Sequence, residues 1–360
     1  MSKRVLVAMS GGVDSSVACL LLKEAGFEVA GVTMCLGEQD GEARCCGAHA
    51  VEDAASVCAR LGVPHFVLDF SREMEDIVIA NFIEEYRRGR TPNPCILCNR
   101  FLKFGKLLAH AQSAGFDFLA TGHYAFTRRE EGRCSIVRPR DREKDQTYFL
   151  WAIPREVLPY LFFPLGRYTK REVRQIAQRA RLPVALKPQS QDLCFIPRGD
   201  YQEFLEKHLG KGRSGRIVDE GGQVVGRHRG VFRYTVGQRR GLGISSSHPL
   251  YVVAIRPESN EILVGKREAL LGWGLRARWV NWLSEEVPQK ALAQVRYRHR
   301  PRPCRIKVEG EKAVEVLFEE PVEMITPGQS VVFYEGDVLL GGGIIEEVIR
   351  DGREEENRGT

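Results

Sequence analysis

The chain has 360 residues, of which 43% are hydrophobic and 28% charged, and a formal net charge of +6. That is the composition of a globular protein long enough for two or three domains, and its mild basic excess leans toward polyanionic partners without proving one. No apolar run approaches the roughly 18 residues that span a bilayer, and residues 5–9 behind the basic start are too few for a secretory signal, so no membrane partner and a cytoplasmic location are expected.

Residues 3–9 are a compact apolar run that reads as a strand, and residues 14–25 carry helical spacing through Val17, Leu20, Leu21 and Leu22. Residues 27–34 read as a second strand, 49–61 as an amphipathic helix, 65–70 as a third strand and 72–88 as a helix. A loop over 91–98, a helix over 99–114 and a strand over 116–121 continue the alternation, which predicts an α/β fold: a doubly wound parallel sheet with helices on both faces. Ligands of such sheets bind beyond the carboxyl ends of the strands. Residues 168–181 predict a further helix, with Thr169 and Glu172 spaced as a capping box, and Asp200 with Glu203 starts another.

Beyond Gly210 glycines punctuate short alternating stretches at 223–225, 230–236, 251–255 and 261–264, with turns at Glu220-Gly221-Gly222 and Glu258-Ser259-Asn260. From Gly272 onward the β pattern persists at 293–297, 304–308, 313–318, 330–334 and 338–340. Many short strands with glycine-rich turns predict a small β-rich central domain and a C-terminal β-barrel. The expected division is 1–203, 204–270 and 271–350, with 351–360 a charged, frayed tail.

Ser10-Gly11-Gly12-Val13-Asp14-Ser15-Ser16 follows the first strand and opens the first helix. Glycines let backbone approach an anion, serines cap and donate hydroxyls, and a helix N-terminus favours phosphate. The string is neither a Walker loop nor a dinucleotide fingerprint. It resembles the pyrophosphate loop of adenylating ATPases that release AMP and pyrophosphate. That resemblance implies that Ala8, Met9, Ser10, Gly11, Gly12, Val13, Asp14 and Ser15 hold ATP, with Asp14 near the Mg2+-pyrophosphate and Met34 and Gly122 lining the nucleotide pocket.

Ten cysteines spread through so long a chain are expected to be reduced, and any cluster is expected to bind metal or do chemistry. Cys95 and Cys98 form a C-x-x-C at a loop-to-helix junction, where a helix N-terminus lowers thiol pKa values. Cys45-Cys46 can complete a zinc site or serve an auxiliary redox role, and Cys58, mid-helix, is assigned to packing.

The pyrophosphate loop, Thr91-Pro92-Asn93-Pro94 before a cysteine, Thr121-Gly122-His123-Tyr124, Lys144-Asp145-Gln146, Ser190-Gln191-Asp192-Leu193-Cys194, Arg296-Tyr297-Arg298 and Gly328-Gln329 occur together in this order. The set resembles the bacterial tRNA-specific 2-thiouridylase family over nearly the whole chain. The resemblance implies adenylation of a wobble uridine in the anticodon region of tRNA and its thiolation at C2. Cys194 would carry a persulfide from a sulfur-relay protein, and Cys98 would be the partner thiol, ending in a Cys98–Cys194 disulfide. His123, Lys144, Asp145, Gln146, Arg296, Tyr297 and Gln329 would contact tRNA. Familiar members carry aspartate where this chain has Cys95, so Cys95, Cys98 and Cys194 form a three-thiolate set that can hold a [4Fe–4S] cluster with one open iron for sulfide as donor. Both forms require the three thiols to converge within a few ångströms.

Arginines gather in the later half at 227, 229, 233, 239 and 240 and at 296, 298, 300, 302 and 305, with Phe232, Tyr234 and Tyr297 among them. A solvated charged face and an RNA surface with aromatic stacking use the same residue types, and the resemblance favours the second. The rival functions are a small-molecule adenylating ligase built on the same loop and a metal- or redox-responsive RNA-binding protein.

Overall fold

The computed structural model describes residues 2–37, 48–188, 193–196 and 200–350. They form two compact units, one made of the described residues within 1–79, 95–199 and 336–339 and the other of those within 80–94, 200–335 and 340–350.

The first unit is built on a five-stranded sheet of β1 (Arg4–Ala8), β2 (Glu28–Cys35), β3 (His65–Asp69), β4 (Phe118–Thr121) and β7 (Leu161–Phe162), in the order β3-β2-β1-β4-β7. Every pairing in it is parallel. Val5 and Val7 of the central strand are fully buried and Leu6 nearly so, the continuous apolar signature of a strand covered on both faces. Helix α1 (Val13–Glu24) packs Val17, Ala18, Cys19 and Leu20 into this core, and α2 (Ala48–Leu61) adds Ala54, Val57 and Cys58. Cys58 is a packing residue, as expected. A Cβ at Gly31 of β2 would lie 2.6 Å from its sulfur, so only glycine lets α2 approach the sheet this closely. Helix α3 (Lys170–Arg179) begins with the expected capping box of Thr169 and Glu172.

Two local expectations change here. The C-x-x-C helix starts earlier than predicted: Pro94–Leu97 is α-helical, Cys98–Leu107 is π-helical, and Leu108–Ser113 is α-helical again. Pro94 at its first position needs no amide partner, which is why a proline can open it. The hairpin of β5 (Phe126–Glu130) and β6 (Arg133–Val137) was not anticipated, because four charged residues in a row, 128–131, hide its alternation. Its signal was Glu131-Gly132, both at positive φ (50° and 77°) in a two-residue turn.

The second unit is β-rich. Helix Ala80–Arg87 and helix Tyr201–Leu209, the latter capped by Asp200 as predicted, meet through Phe82–Phe204 and Tyr86–Tyr201 ring contacts. A four-stranded sheet contains β8 (Gly215–Val218), β9 (Val224–His228), β10 (Tyr251–Arg256) and β11 (Glu261–Gly265), in the order β10-β11-β8-β9. The predicted turns at 220–222 and 258–260 join its two hairpins. Residues 230–236, expected as a strand, instead hold the short 3-10 turn Val231–Arg233, entered through Gly230 at φ 135°. The strands β12 (Leu271–Trp282), β13 (Lys290–Gln294), β14 (Arg302–Val308), β15 (Ala313–Glu323), β16 (Ser330–Glu335) and β17 (Val338–Ile349) run in the order β12-β15-β14-β13-β16-β17, and β12–β17 pairing closes them into a barrel. Closure removes the sheet edges.

Candidate active site

In the α/β unit a cavity of about 480 Å3 opens where the loops leave the carboxyl ends of β1, β2 and β4, the place that a doubly wound sheet reserves for ligands. Ala8, Met9, Ser10, Asp14 and Ser15 line it from the glycine-rich loop, Met34 from the end of β2, and Gly122 and His123 from the end of β4. Gln146, Cys98 and Cys194 complete the predicted residues that reach it.

Hydrogen bonds fix the loop. The Ser10 amide donates to Ser15 Oγ at 3.1 Å, and Ser15 and Ser16 hydroxyls donate to the Gly12 carbonyl at 3.2 and 2.8 Å. Gly11 sits at φ 66°, and a Cβ there would lie 2.4 Å from the Ala50 carbonyl oxygen of α2. Gly122 packs on the start of α1: its Cβ would lie 2.6 Å from the Ser15 nitrogen and 2.8 Å from the Asp14 carbonyl carbon. The loop is therefore pressed between α2 and the end of β4, its first turn open to the cavity.

Lysines missed in the sequence govern the charge here. Lys170, at the start of α3, donates to both Asp14 carboxylate oxygens at 2.6 and 2.7 Å, and the Tyr124 hydroxyl donates to Asp14 Oδ1 at 2.9 Å. Burial, with the Asp14 charge beside it, pushes the Tyr124 phenol up, so it remains a donor. Lys187 lines the cavity, pairs with Asp53 and donates to the Gly11 carbonyl at 3.0 Å. Lys103 lines it as well, five residues beyond Cys98. None of these lysines lies on the glycine-rich segment suspected of binding phosphate, and only Lys103, on the C-x-x-C helix, falls on a stretch that the sequence singles out for chemistry.

His123 is half-buried, and its Nδ1 lies 2.7 Å from Thr121 Oγ1. Burial, then the nearby Lys103 charge, holds its imidazole well below the usual histidine range, so it is neutral at physiological pH. Gln146 accepts from the Tyr124 amide at 2.8 Å. Asp145, buried, takes bonds from Arg138 at 2.5 Å and from the Thr147 amide and hydroxyl at 2.9 and 2.6 Å, so its carboxylate organises its own segment. Neither Asp145 nor Lys144 lines the cavity.

The thiols divide. Cys98 and Cys194 share the cavity, and neither is in a disulfide. Cys95 does not line it. The expected helix-terminus effect fails for Cys95: desolvation by the surrounding protein outweighs Lys103 and pushes its thiol up, although part of its surface is exposed. Among the described residues no three His, Cys, Asp or Glu side chains are gathered to hold a metal. The expected convergence of all three thiols is therefore not seen: only Cys98 and Cys194 line the common cavity, which suffices for a persulfide and its partner thiol. The three-thiolate set does not fit a [4Fe–4S] cluster in this arrangement, and no step is derived through one. Cys35, expected reduced, is disulfide-bonded; Cys45 and Cys46 lie outside the described residues.

In the β-rich unit Arg296 donates to the Val236 carbonyl at 2.8 Å and to Thr326 Oγ1 at 2.9 Å, and Gln329 donates to the Thr91 carbonyl at 2.8 Å. Tyr297 is half-buried beside Arg296. Phe232 and Tyr234 are buried and unavailable for base stacking, which corrects part of the expected RNA surface. Arg298, Arg300, Arg302 and Arg305 are exposed, without an ion pair among the described residues.

A parallel sheet with a glycine-rich loop beside two thiols, in a chain that also carries a closed β-barrel, defines a doubly wound α/β protein joined to accessory β domains. A family model described as the tRNA methyl transferase HUP domain matches residues 3–198, one described as the tRNA methyl transferase PRC-barrel domain matches 202–266, and one described as the aminomethyltransferase beta-barrel domain matches 273–345. The chain is 54% identical over 351 residues to tRNA-specific 2-thiouridylase MnmA 1 of Syntrophus aciditrophicus, covering 97% of this chain and 94% of that protein. It is 48% identical to the tRNA-specific 2-thiouridylase MnmA of Carboxydothermus hydrogenoformans (96% and 98% covered) and 48% identical to that of Thermus thermophilus (95% of each). The methyl transferase wording of two models and the thiouridylase name of the relatives differ, and the end-to-end matches decide between them. The chain belongs to the tRNA-specific 2-thiouridylase family.

Proposed function

We propose that this protein is a tRNA 2-thiouridylase, which uses ATP to activate the C2 oxygen of the wobble uridine in tRNA and replaces it with sulfur. One observation carries the reading: a single cavity is lined both by the phosphate-loop residues Ser10, Asp14 and Ser15 and by the thiols of Cys98 and Cys194. A small-molecule ligase on the same loop has no use for that thiol pair. A vestigial ATP site would not need the packing of Gly11 and Gly122.

The uridine C2 oxygen is a poor leaving group, so the displacement is split in two. The C2 oxygen attacks the α-phosphorus of ATP, pyrophosphate leaves, and N3 gives up its proton. The terminal sulfur of a Cys194 persulfide then forms a bond to C2, and the C2–O bond breaks with its electron pair leaving on AMP. The Cys98 thiolate attacks Cys194 Sγ, the S–S bond breaks toward the base, and N3 recovers a proton. The products are 2-thiouridine and a Cys98–Cys194 disulfide, which an external dithiol reduces. The persulfide comes by exchange with the persulfide of a sulfur-relay protein, whose own thiol is the leaving group, or from sulfide attacking Cys194 Sγ of the Cys98–Cys194 disulfide, with Cys98 leaving as the thiolate.

Mg2+ accompanies the phosphates of ATP, and at Asp14 it would have to displace the Lys170 ammonium. Neutral His123, bonded at Nδ1, offers Nε2 to a uracil edge, and Gln146 stands beside it. Lys144, Arg296, Tyr297 and Gln329 are taken as further tRNA contacts, with Asp145 positioning Gln146. Residues 1–203 form the thiolation domain, 204–270 and 271–350 the tRNA-binding domains and 351–360 a tail. No helix among the described residues is long and apolar enough to cross a membrane; the enzyme is placed in the cytoplasm with its substrate.

The test is incubation with ATP, a sulfur source and unmodified tRNA, followed by nucleoside analysis. One 2-thiouridine is expected per AMP and pyrophosphate released. The Cys194→Ser protein should bind tRNA and ATP within about threefold of wild type yet transfer sulfur at least about 1,000-fold more slowly, the loss expected of a nucleophile. Turnover by Cys194→Ser would refute its role. Iron and sulfide analysis after anaerobic purification should find neither; a stoichiometric [4Fe–4S] cluster would replace the persulfide route.

A further inference from the structure

The cavity's cations are not equivalent. Lys170 is neutralised by Asp14 and Lys187 by Asp53. Lys103 has no ion pair among the described residues: its hydrogen bond goes to the neutral Asn99 Oδ1, at 3.1 Å. Asn99 is itself buried and donates to the Phe149 carbonyl at 2.9 Å, so the lysine is held by a fixed partner. Among the described residues Lys103 therefore brings an unneutralised positive charge to the wall it shares with Cys98, Cys194 and His123. Its field is felt at His123 and at Cys95. An ordinary surface lysine would contribute nothing here, but this side chain is half-buried and lines the cavity.

We propose that Lys103 is a catalytic residue of sulfur transfer, its ammonium carrying the negative charge that moves onto AMP as the C2–O bond breaks. The inference rests on the 2-thiouridylase reading and deepens it. In that step the new C2–S bond displaces the oxygen, and the phosphate of the departing AMP rises from one negative charge to two. A preorganised cation with no ion pair among the described residues stabilises charge that develops in the transition state. Lys170 and Lys187 could do this only by releasing Asp14 or Asp53.

The experiment compares wild type, Lys103→Met and Lys103→Arg under single turnover, following pyrophosphate, AMP and 2-thiouridine separately. Lys103→Met should keep the pyrophosphate burst of about one per enzyme while AMP release and 2-thiouridine formation slow together by about 100-fold, the cost of losing one such donor. Lys103→Arg should recover at least about a tenth of wild-type transfer, and ATP affinity and thermal midpoint should be unchanged in both. Sulfur transfer by Lys103→Met within about threefold of wild type overturns the proposal. So does loss of the pyrophosphate burst, or an Arg variant as slow as Met. If Lys103→Met does not fold, Lys103→Gln takes its place with the same criteria. Failure of the wild-type protein to make 2-thiouridine would instead reject the function itself.

Discussion

In the α/β unit, residues from the loop after β1, the ends of β2 and β4 and the C-x-x-C helix meet in one cavity, whereas in the β-rich unit Arg296 and Gln329 turn their polar ends onto their own backbone. The same unit spends other charges on itself: Arg90 pairs with Glu85 at 2.9 Å, Arg278 with Glu346 at 2.8 Å, and Arg276 with Glu315 and Glu347 at 3.3 and 3.2 Å. The difference is instructive. A parallel sheet fixes in advance where its ligand goes, so a motif placed just after a strand finds the site by topology alone. A barrel has no such rule, and an arginine on it can serve a neighbouring carboxylate as readily as a nucleic-acid phosphate.

The largest loss is expected at Gly122. Gly122→Ala puts a Cβ into the backbone of residues 14 and 15, and about 100-fold loss of sulfur transfer with about 1–3 kcal/mol of destabilisation is expected, read from single-turnover rates and denaturant melts. Next comes Lys170→Met, which leaves the Asp14 carboxylate without its cation. Allowing for partial solvent access, about 1–2 kcal/mol should be lost, a drop of a few degrees in Tm measured by calorimetry.

Within the β-rich unit, Arg296→Ala and Arg298→Ala should behave differently. The first should lower Tm by a few degrees, through two lost internal hydrogen bonds worth about 1 kcal/mol each. The second should leave Tm alone, weaken tRNA severalfold and reduce the salt slope of binding by about one ion, with ATP affinity unchanged. Equal effects of the two on Tm would erase the distinction.

The smallest effect is acid sensitivity. His123, His65, His228 and His299 are all held below the ordinary histidine range, chiefly by burial. The unfolded chain then takes up protons below about pH 6.5 that the folded chain refuses, so stability falls as pH drops from there toward the folded values. Melts between pH 7.5 and 5 should show this slope, and NMR should find the His123 ring neutral throughout the range from pH 6 to 8.

Features that depend on neighbours along the chain were legible in the residues alone. The apolar run of β1, the Thr169–Glu172 cap, the glycine-rich loop and the motif order were enough for the α/β fold, the barrel and the family, because helix caps, strand patterns and tight turns are set within a few residues. Which charges pair among the described residues, and which thiols share a space, follow from packing across the chain. Lys170 stands 156 residues from Asp14, and Lys187 stands 134 from Asp53. Cys95, three residues from Cys98, stays outside the cavity that Cys194, nearly a hundred residues further on, lines. Aromatics read as stacking platforms at Phe232 and Tyr234 proved to be core, since arginine-rich sequence marks a surface without saying which face of each residue meets water. Long-range pairing is a property of packing, and no local pattern encodes it.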